Sequence, residues 1–262
     1  NKDAYKVSGN KLISIIMASN KIDEFLPLAI NSILEQTYQN IEVIFVANGD
    51  KAHCISLYIK NFFKDERIKI YETPIGQLSH ALNLAISNAS GDYIARMDAD
   101  DISLPERLTK QLEYLRSHNL DMVGSDIIHI DTNGEVIGIK HYPKGLNKIN
   151  KQLYFRNTFS HSTILIKKKI LISARGYNAG FNSEDYDLWL RLRRKNIKWD
   201  NMEECLLKYR IHSASTQRKR LGYAEVAGYS LREFLLRFSF IGIFSVLIHI
   251  VKVYIKSSSH EE

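Results

Sequence analysis

Cysteine is scarce in this chain: only Cys54 and Cys205 occur in 262 residues. They lie far apart and match no metal-ligand spacing, so a disulfide framework and a cysteine-held metal are both excluded and a reducing, cytoplasmic compartment is expected. No secretory signal is expected either, since Asn1 to Lys11 is polar and mixed. No glycine stands in Met17-Ala18-Ser19-Asn20-Lys21. That argues against the glycine-rich phosphate loop a nucleotidyltransferase would place after its first strand. No nucleic-acid motif, internal repeat or low-complexity segment is present, and no linker separates two domains before about residue 215. Phe238 to Val251 is free of Asp, Glu, Lys and Arg, but its 14 residues fall short of the roughly 20 that span a bilayer.

What is present suits a globular chain with a sizeable core: 45% apolar and 25% charged residues. The net charge of +7 comes from 36 basic and 29 acidic residues. It favours anionic partners such as nucleotides or phospholipid surfaces. Part of the excess is late, in Arg191, Arg193, Arg194 and Lys195 and again in Arg218, Lys219 and Arg220. The first of these runs also suits a solvated helix face.

Periodicity organises the first half. Leu12 to Met17, Ile41 to Ala47, Arg67 to Tyr71 and Tyr93 to Met97 read as strands. Asp23 to Gln36, Ile55 to Phe63 and Gln77 to Asn88 read as helices between them. This alternation predicts an α/β fold with a largely parallel sheet and right-handed crossovers. Ligands in such folds bind beyond the carboxyl ends of the strands. Asn48 and the cluster Asp98 to Asp101 both fall at such ends. A helix from Pro105 to about Ser117 follows. The hairpin turn Asp131-Thr132-Asn133-Gly134 then joins a strand, Asp121 to Ile130, to Val136 to Ile139. Ser162 to Ile166 is expected to be another strand, Glu184 to Lys195 a helix, and Leu206 to Tyr209 strand-like. Arg232, Arg237, Lys252 and Lys256 flank the charge-free segment near the end. That pattern fits a helix lying in an anionic membrane interface, or one packed on the domain or on a second copy.

The most informative stretch is Gly91-Asp92-Tyr93-Ile94-Ala95-Arg96-Met97-Asp98-Ala99-Asp100-Asp101. A short apolar strand runs straight into three carboxylates. Such clustering is costly unless a positive group joins it, and carboxylate oxygens suit Mg²⁺ or Mn²⁺. A solvated acidic turn capping the next helix is the alternative for an isolated Asp-x-Asp.

Taken with five other segments, this stretch resembles the family 2 glycosyltransferases. The others are Ser14 to Met17, Ala29 to Thr37, Ala81-Leu82-Asn83, and the late pair Glu184-Asp185-Tyr186-Asp187-Leu188-Trp189-Leu190-Arg191 and Tyr209-Arg210-Ile211-His212. The resemblance covers roughly Leu12 to Ser215. It implies a GT-A fold, a Rossmann-like, mostly parallel mixed sheet flanked by helices, and inverting transfer of a hexose or N-acetylhexosamine. The donor would be a nucleotide-sugar, a UDP-sugar first. The acceptor would be a glycan or lipid-linked oligosaccharide in bacterial surface polysaccharide synthesis. The enzyme would work in the cytoplasm, peripheral on the inner face of the membrane, with no nucleic-acid partner. It divides the chain into a catalytic domain, 1–215, with a donor half near 12–105 and an acceptor half near 106–215, and a helical, membrane-interfacial extension, 216–262.

Residue by residue, the resemblance makes Asp98 and Asp100 the Asp-x-Asp that holds Mn²⁺ or Mg²⁺, with His212 completing the coordination. Asp100 is the expected direct ligand; Asp98 reaches the ribose or a metal-bound water. Asp101 is expected at the acceptor sugar. Glu184 and Asp185 form the acidic pair where the family places its base; Asp185 is assigned the role, with Glu184 its rival. Ala18, Asn20 and Asn48 are the nucleoside contacts, with Asn83 and Arg96 as further donor-site residues or as braces. Family members often carry Asp-Asp-Gly-Ser where this chain has Ala47-Asn48-Gly49-Asp50. Asn48 can donate and accept hydrogen bonds, and so can still read a base edge. His161 is either an acceptor-side residue or a turn histidine bonded to backbone. A catalytically degenerate scaffold is the competing reading, argued against by the intact Asp98, Asp100, Asp185 and His212.

Overall fold

The computed structural model describes residues 11–178, 180, 183–212 and 219–255. Four strands, β1 (Ile13–Ser19), β2 (Ile41–Asn48), β3 (Ile68–Thr73) and β4 (Tyr93–Arg96), pair in parallel in the order β3-β2-β1-β4. β1 and β2 are apolar on both faces because helices cover both. Ile13, Ile15 and Met17 pack with α1 (Phe25–Leu34), α2 (Ala52–Phe62) and α4 (Arg107–Ser117). The alternate residues Ile16, Ile44 and Val46 pack with α3 (Leu78–Asn88) and α7 (Glu184–Arg194). The two-residue side-chain period of a strand thus divides one sequence run between two cores.

Beyond β4 the sheet becomes mixed. β5 (Ile102–Ser103), β6 (Met122–Ile130), β7 (Val136–Lys140), β8 (Leu165–Lys167) and β9 (Trp199–Arg210) extend it in the order β4-β8-β6-β9-β5, with β7 hairpinned to β6. β8 runs antiparallel to both β4 and β6. Short helices α5 (Leu146–Gln152) and α6 (Lys168–Ser173) connect these strands. The strand expected over Ser162 to Ile166 is a correction: His161–Thr163 is a single 3₁₀ turn, and extended pairing begins only at Leu165. Thr163 closes that turn by donating to Ser160 O from both its N–H, at 3.1 Å, and its hydroxyl, at 2.9 Å. β9 is longer than its apolar end suggests. It follows β6 in parallel through Asp200, Asn201, Glu203 and Glu204, with register shifts along the way.

Two features place the site. Ser19 pairs with Ala47 across β1 and β2, so the carboxyl ends of these strands lie side by side. Ile102 pairs with Lys208, which carries the end of β9 to the acidic turn after β4. The C-terminal helices α8 (Lys219–Leu236) and α9 (Phe240–Ile255) pack on each other, and α8 on α7. Buried Asp187 holds that contact, paired with Arg191 at 2.7 Å and with Arg232 at 2.5 Å. The domain boundary expected at 215 falls outside the described residues.

Candidate active site

Two cavities open at the carboxyl ends of the strands. One, of about 580 Å³, is lined by Ala18, Asn20, Asn48, Asp98, Asp100 and Glu184 among others. The second, of about 310 Å³, is lined by Arg96, Asp98, Tyr142, His161, Glu184 and Asp185 among others. Asp98 and Glu184 belong to both, so the cavities meet between the acidic turn and the start of α7. The sequence-predicted nucleoside contacts therefore share one chamber with the Asp-x-Asp. Asp185 and His161 face the other.

The acidic turn is braced from beneath. Arg96, 2% exposed, forms an ion pair with Asp98. Arg107, fully buried, donates to Arg96 O at 2.8 Å and to Gln111 Oε1 at 3.1 Å. Burial and the neighbouring Asp98 raise the Asp100 pKa. His212 Nε2 lies 2.9 Å from Asp100 Oδ2, with its ring against Phe25. Among the described residues no three His, Cys, Asp or Glu converge to hold a metal by themselves. Mg²⁺ is ordinarily held by one or two carboxylates together with substrate phosphates, not by an all-protein cage. The residues fit that pattern: the crowding that raises Asp100 is what a divalent cation relieves, and Asp98 and Asp100 both line the larger cavity.

Arg210 is turned to backbone and to an aromatic ring. Its Nε donates to Asp100 O at 2.9 Å, its Nη1 to Asp131 O at 2.8 Å, and its guanidinium stacks 4.2 Å from the Phe25 ring. It braces backbone rather than offering a phosphate fork. Asp101 is 1% exposed, and its Oδ1 accepts from Arg210 N at 2.9 Å. It lines neither cavity, so the acceptor contact expected of it is absent from this geometry. Asn83 lines neither cavity as well. Its amide clamps Tyr177, donating to Tyr177 O at 2.7 Å and accepting from Tyr177 N at 2.8 Å. Gly176 makes this approach possible. It sits at φ 64°, and a Cβ there would lie 2.3 Å from Asn83 Oδ1.

The acidic pair opens α7, where unsatisfied backbone N–H groups favour negative charge. Glu184 is 9% exposed, and burial with Asp185 alongside pushes its pKa up to about 7. Burial also raises Asp185, opposed by two donors: Asn157 Nδ2 at 2.6 Å from Oδ2 and Tyr186 N at 2.7 Å from Oδ1. Asn157 is a residue that sequence reasoning missed; its pairing spans 28 positions and has no local signal. Lys140 is another, lining the second cavity with its amine 5.0 Å from the Tyr142 ring centroid. His161 Nε2 lies 2.7 Å from Tyr177 Oη. Burial and nearby Arg96 hold its pKa well below the usual imidazole range, so it is neutral.

The Glu184 shift has a measurable consequence. A buried carboxyl whose pKa is raised favours the protonated folded state, so its contribution is present below the ordinary value of 4.5 and lost as pH rises through about 7. Metal-free wild type is expected to lose on the order of 2–3 kcal/mol between about pH 5 and pH 8, or roughly 5 °C or more in Tm. Glu184→Gln should remove most of that loss. Thermal melts of both proteins across this range provide the check.

Residues 14–180 match the family described as Glycosyl transferase family 2. The chain belongs to that family. Similar proteins include the O-antigen biosynthesis glycosyltransferase WbnJ of Escherichia coli, 49% identical over 248 residues, covering 94% of this chain and 97% of that protein. The amylovoran biosynthesis glycosyltransferase AmsE of Erwinia amylovora is 29% identical over 211 residues, 79% of each chain. Among solved structures, S. aureus TarS 1–349 in complex with UDP superposes with a TM-score of 0.68 at 15% identity, covering 95% of this chain and 73% of that one. The mannosyltransferase PcManGT of Pyrobaculum calidifontis, in complex with GDP-Man and Mn²⁺, superposes with a TM-score of 0.62 at 12% identity, covering 95% and 76%. These likenesses establish the GT-A fold, with its helical C-terminal extension, for this family 2 chain.

Proposed function

We propose that the chain is an inverting, metal-dependent hexosyltransferase using a UDP-sugar, in bacterial surface polysaccharide synthesis at the inner face of the cell membrane. Its acceptor is a glycan or lipid-linked oligosaccharide. The observation that carries this reading is the junction of the two cavities at Asp98 and Glu184. A donor in the larger chamber presents its anomeric carbon to an acceptor in the smaller one, and Asp185 faces that acceptor. The biosynthetic setting rests on the roles that the WbnJ and AmsE relatives are named for, and UDP on its presence with TarS.

In this mechanism Asp185 accepts the proton of the acceptor hydroxyl as that oxygen bonds to the anomeric carbon. The bond from the anomeric carbon to the phosphate oxygen breaks, and its electron pair leaves on the nucleoside diphosphate. Attack opposite the leaving group inverts the centre. Asp98 and Asp100, with His212 behind Asp100, would hold Mg²⁺ or Mn²⁺, which supplies positive charge to the departing diphosphate. Asn157 keeps the Asp185 carboxylate oriented while burial makes it a stronger base than a solvated one. Ala18, Asn20 and Asn48 take the nucleoside. Glu184 faces both chambers and holds the sugar between them.

Incubation with UDP-, GDP- and TDP-hexoses and saccharide-lipid acceptors is the test. The expected product carries the sugar with inverted anomeric configuration, formed from a UDP-sugar. A retained configuration, or nucleotide binding without any transfer, would overturn the reading.

A further inference from the structure

Helix α9 is built inside out. Its polar side chains face the protein: Ser245 and His249, 3% and 2% exposed, both meet Tyr154 O, the first at 2.5 Å and the second at 3.1 Å. Lys252 Nζ donates to Phe155 O at 2.7 Å. The outward stripe is Phe240, Phe244, Leu247, Ile248 and Val251, spaced to share one helical face. Phe240 is 74% exposed and Phe244 60%; the end of α8 adds Leu235 at 73% and the link between the helices adds Phe238 at 68%. Water-facing helices carry the opposite pattern. An apolar patch of this extent marks an interaction surface.

A third cavity, of about 620 Å³, lies between α7, α8 and α9, with the exposed Phe238 and Ile241 in its lining. Its cationic lining is Lys151, Arg193, Arg194 and Arg237, against a single acid, Glu233. Glu233 is already shared by Arg194, at 3.3 Å, and Arg232, at 2.8 Å. The Arg193 guanidinium lies 3.9 Å from the Tyr154 ring centroid, and its Nη1 is buried without a hydrogen-bond partner among the described residues. The lining therefore has more positive charge than the described residues neutralise, and one buried N–H group is without an acceptor among them.

We infer that this cavity binds the phosphate headgroup of an anionic phospholipid while the outward stripe of α9 enters the bilayer interface. The combination selects lipid over a second copy of the chain. A symmetric dimer through this face would bring two cationic cavities together, whereas an anionic bilayer supplies both the apolar layer and the phosphates. No described helix is long and apolar enough to cross a membrane, so the contact is interfacial. The inference deepens the membrane placement proposed above and is independent of the transfer chemistry; it is measured without donor or acceptor, so either can fail alone.

The test is co-sedimentation with vesicles of phosphatidylcholine alone and of phosphatidylcholine with phosphatidylglycerol. The unaltered chain should sediment with the anionic vesicles, less so as salt is raised, and stay largely in solution with the neutral ones. Arg237→Gln and Lys151→Gln should each weaken anionic-vesicle binding about fivefold. Phe244→Asp should weaken it at least about tenfold. Equal partition onto both vesicle types, failure to bind either, or a dimer that Phe244→Asp converts to monomer would overturn the inference. The comparison of vesicle compositions uses the unaltered chain and decides the matter even if a variant folds poorly.

Discussion

Asp185→Asn is expected to reduce turnover by about 10²–10⁴ while UDP affinity stays within about twofold. The asymmetry follows from where the side chain sits. Asp185 lines the smaller cavity only, so the larger chamber, with Asn20, Asn48, Asp98 and Asp100, is untouched by the change. Asparagine preserves the shape and can still pair with Asn157, but it cannot take a proton. The effect should therefore fall on kcat rather than on donor binding. Glu184→Gln is the necessary companion, because Glu184 lines both cavities and burial, with Asp185 alongside, pushes its pKa up to about 7. If Asp185 is the base, the glutamine variant retains measurable turnover and shows a changed KM. Transfer rates alongside UDP calorimetry for both variants separate these roles. A wild-type rate from Asp185→Asn, with loss in Glu184→Gln, would exchange the assignments.

The strand-to-carboxylate run ending in Asp98, Asp100 and Asp101 was readable because it is local: apolar residues bury, and the acids must follow at the strand's end. The same logic found β1, β2 and α3 to within a few residues. Side-chain destinations were less readable. Asp101 is adjacent to Asp100, yet it turns inward to Arg210 N, a partner 109 positions away that only the β5–β9 pairing brings close. Asn83 reaches Tyr177 across 94 positions, through a glycine whose need for positive φ is invisible until the clamp is seen. Periodicity reports which face of an element is buried, not which distant atom meets it. The same limit hides α9's orientation. A charge-free run signals apolarity, but only the bonds from Ser245, His249 and Lys252 to Tyr154 O and Phe155 O fix the apolar side outward.

Excess chelator is expected to weaken UDP binding by at least about tenfold, and Asp100→Ala should reproduce the loss in the presence of Mn²⁺. The argument is electrostatic. A diphosphate entering the larger cavity meets Asp98 and Asp100, both acidic; the cation in its lining, Lys21, is paired with Asp23 at 2.7 Å, and buried Arg96 is paired with Asp98. Arg210 offers no relief, since its Nε and Nη1 are committed to backbone carbonyls. Without a divalent ion, the phosphates would approach carboxylates at close range, which disfavours binding. His212→Ala should give a smaller loss. It removes the group that supports Asp100 at 2.9 Å but leaves both carboxylates. Removing Asp100 deletes a carboxylate, so repulsion alone would predict tighter metal-free binding in that variant than in wild type. Calorimetry with and without Mn²⁺ on wild type, Asp100→Ala and His212→Ala therefore separates ligation from simple repulsion. Metal-enhanced binding lost in Asp100→Ala assigns the carboxylate to the ion. Metal-independent binding in wild type would remove the metal from donor capture and leave Asp98 and Asp100 as shapers of the turn.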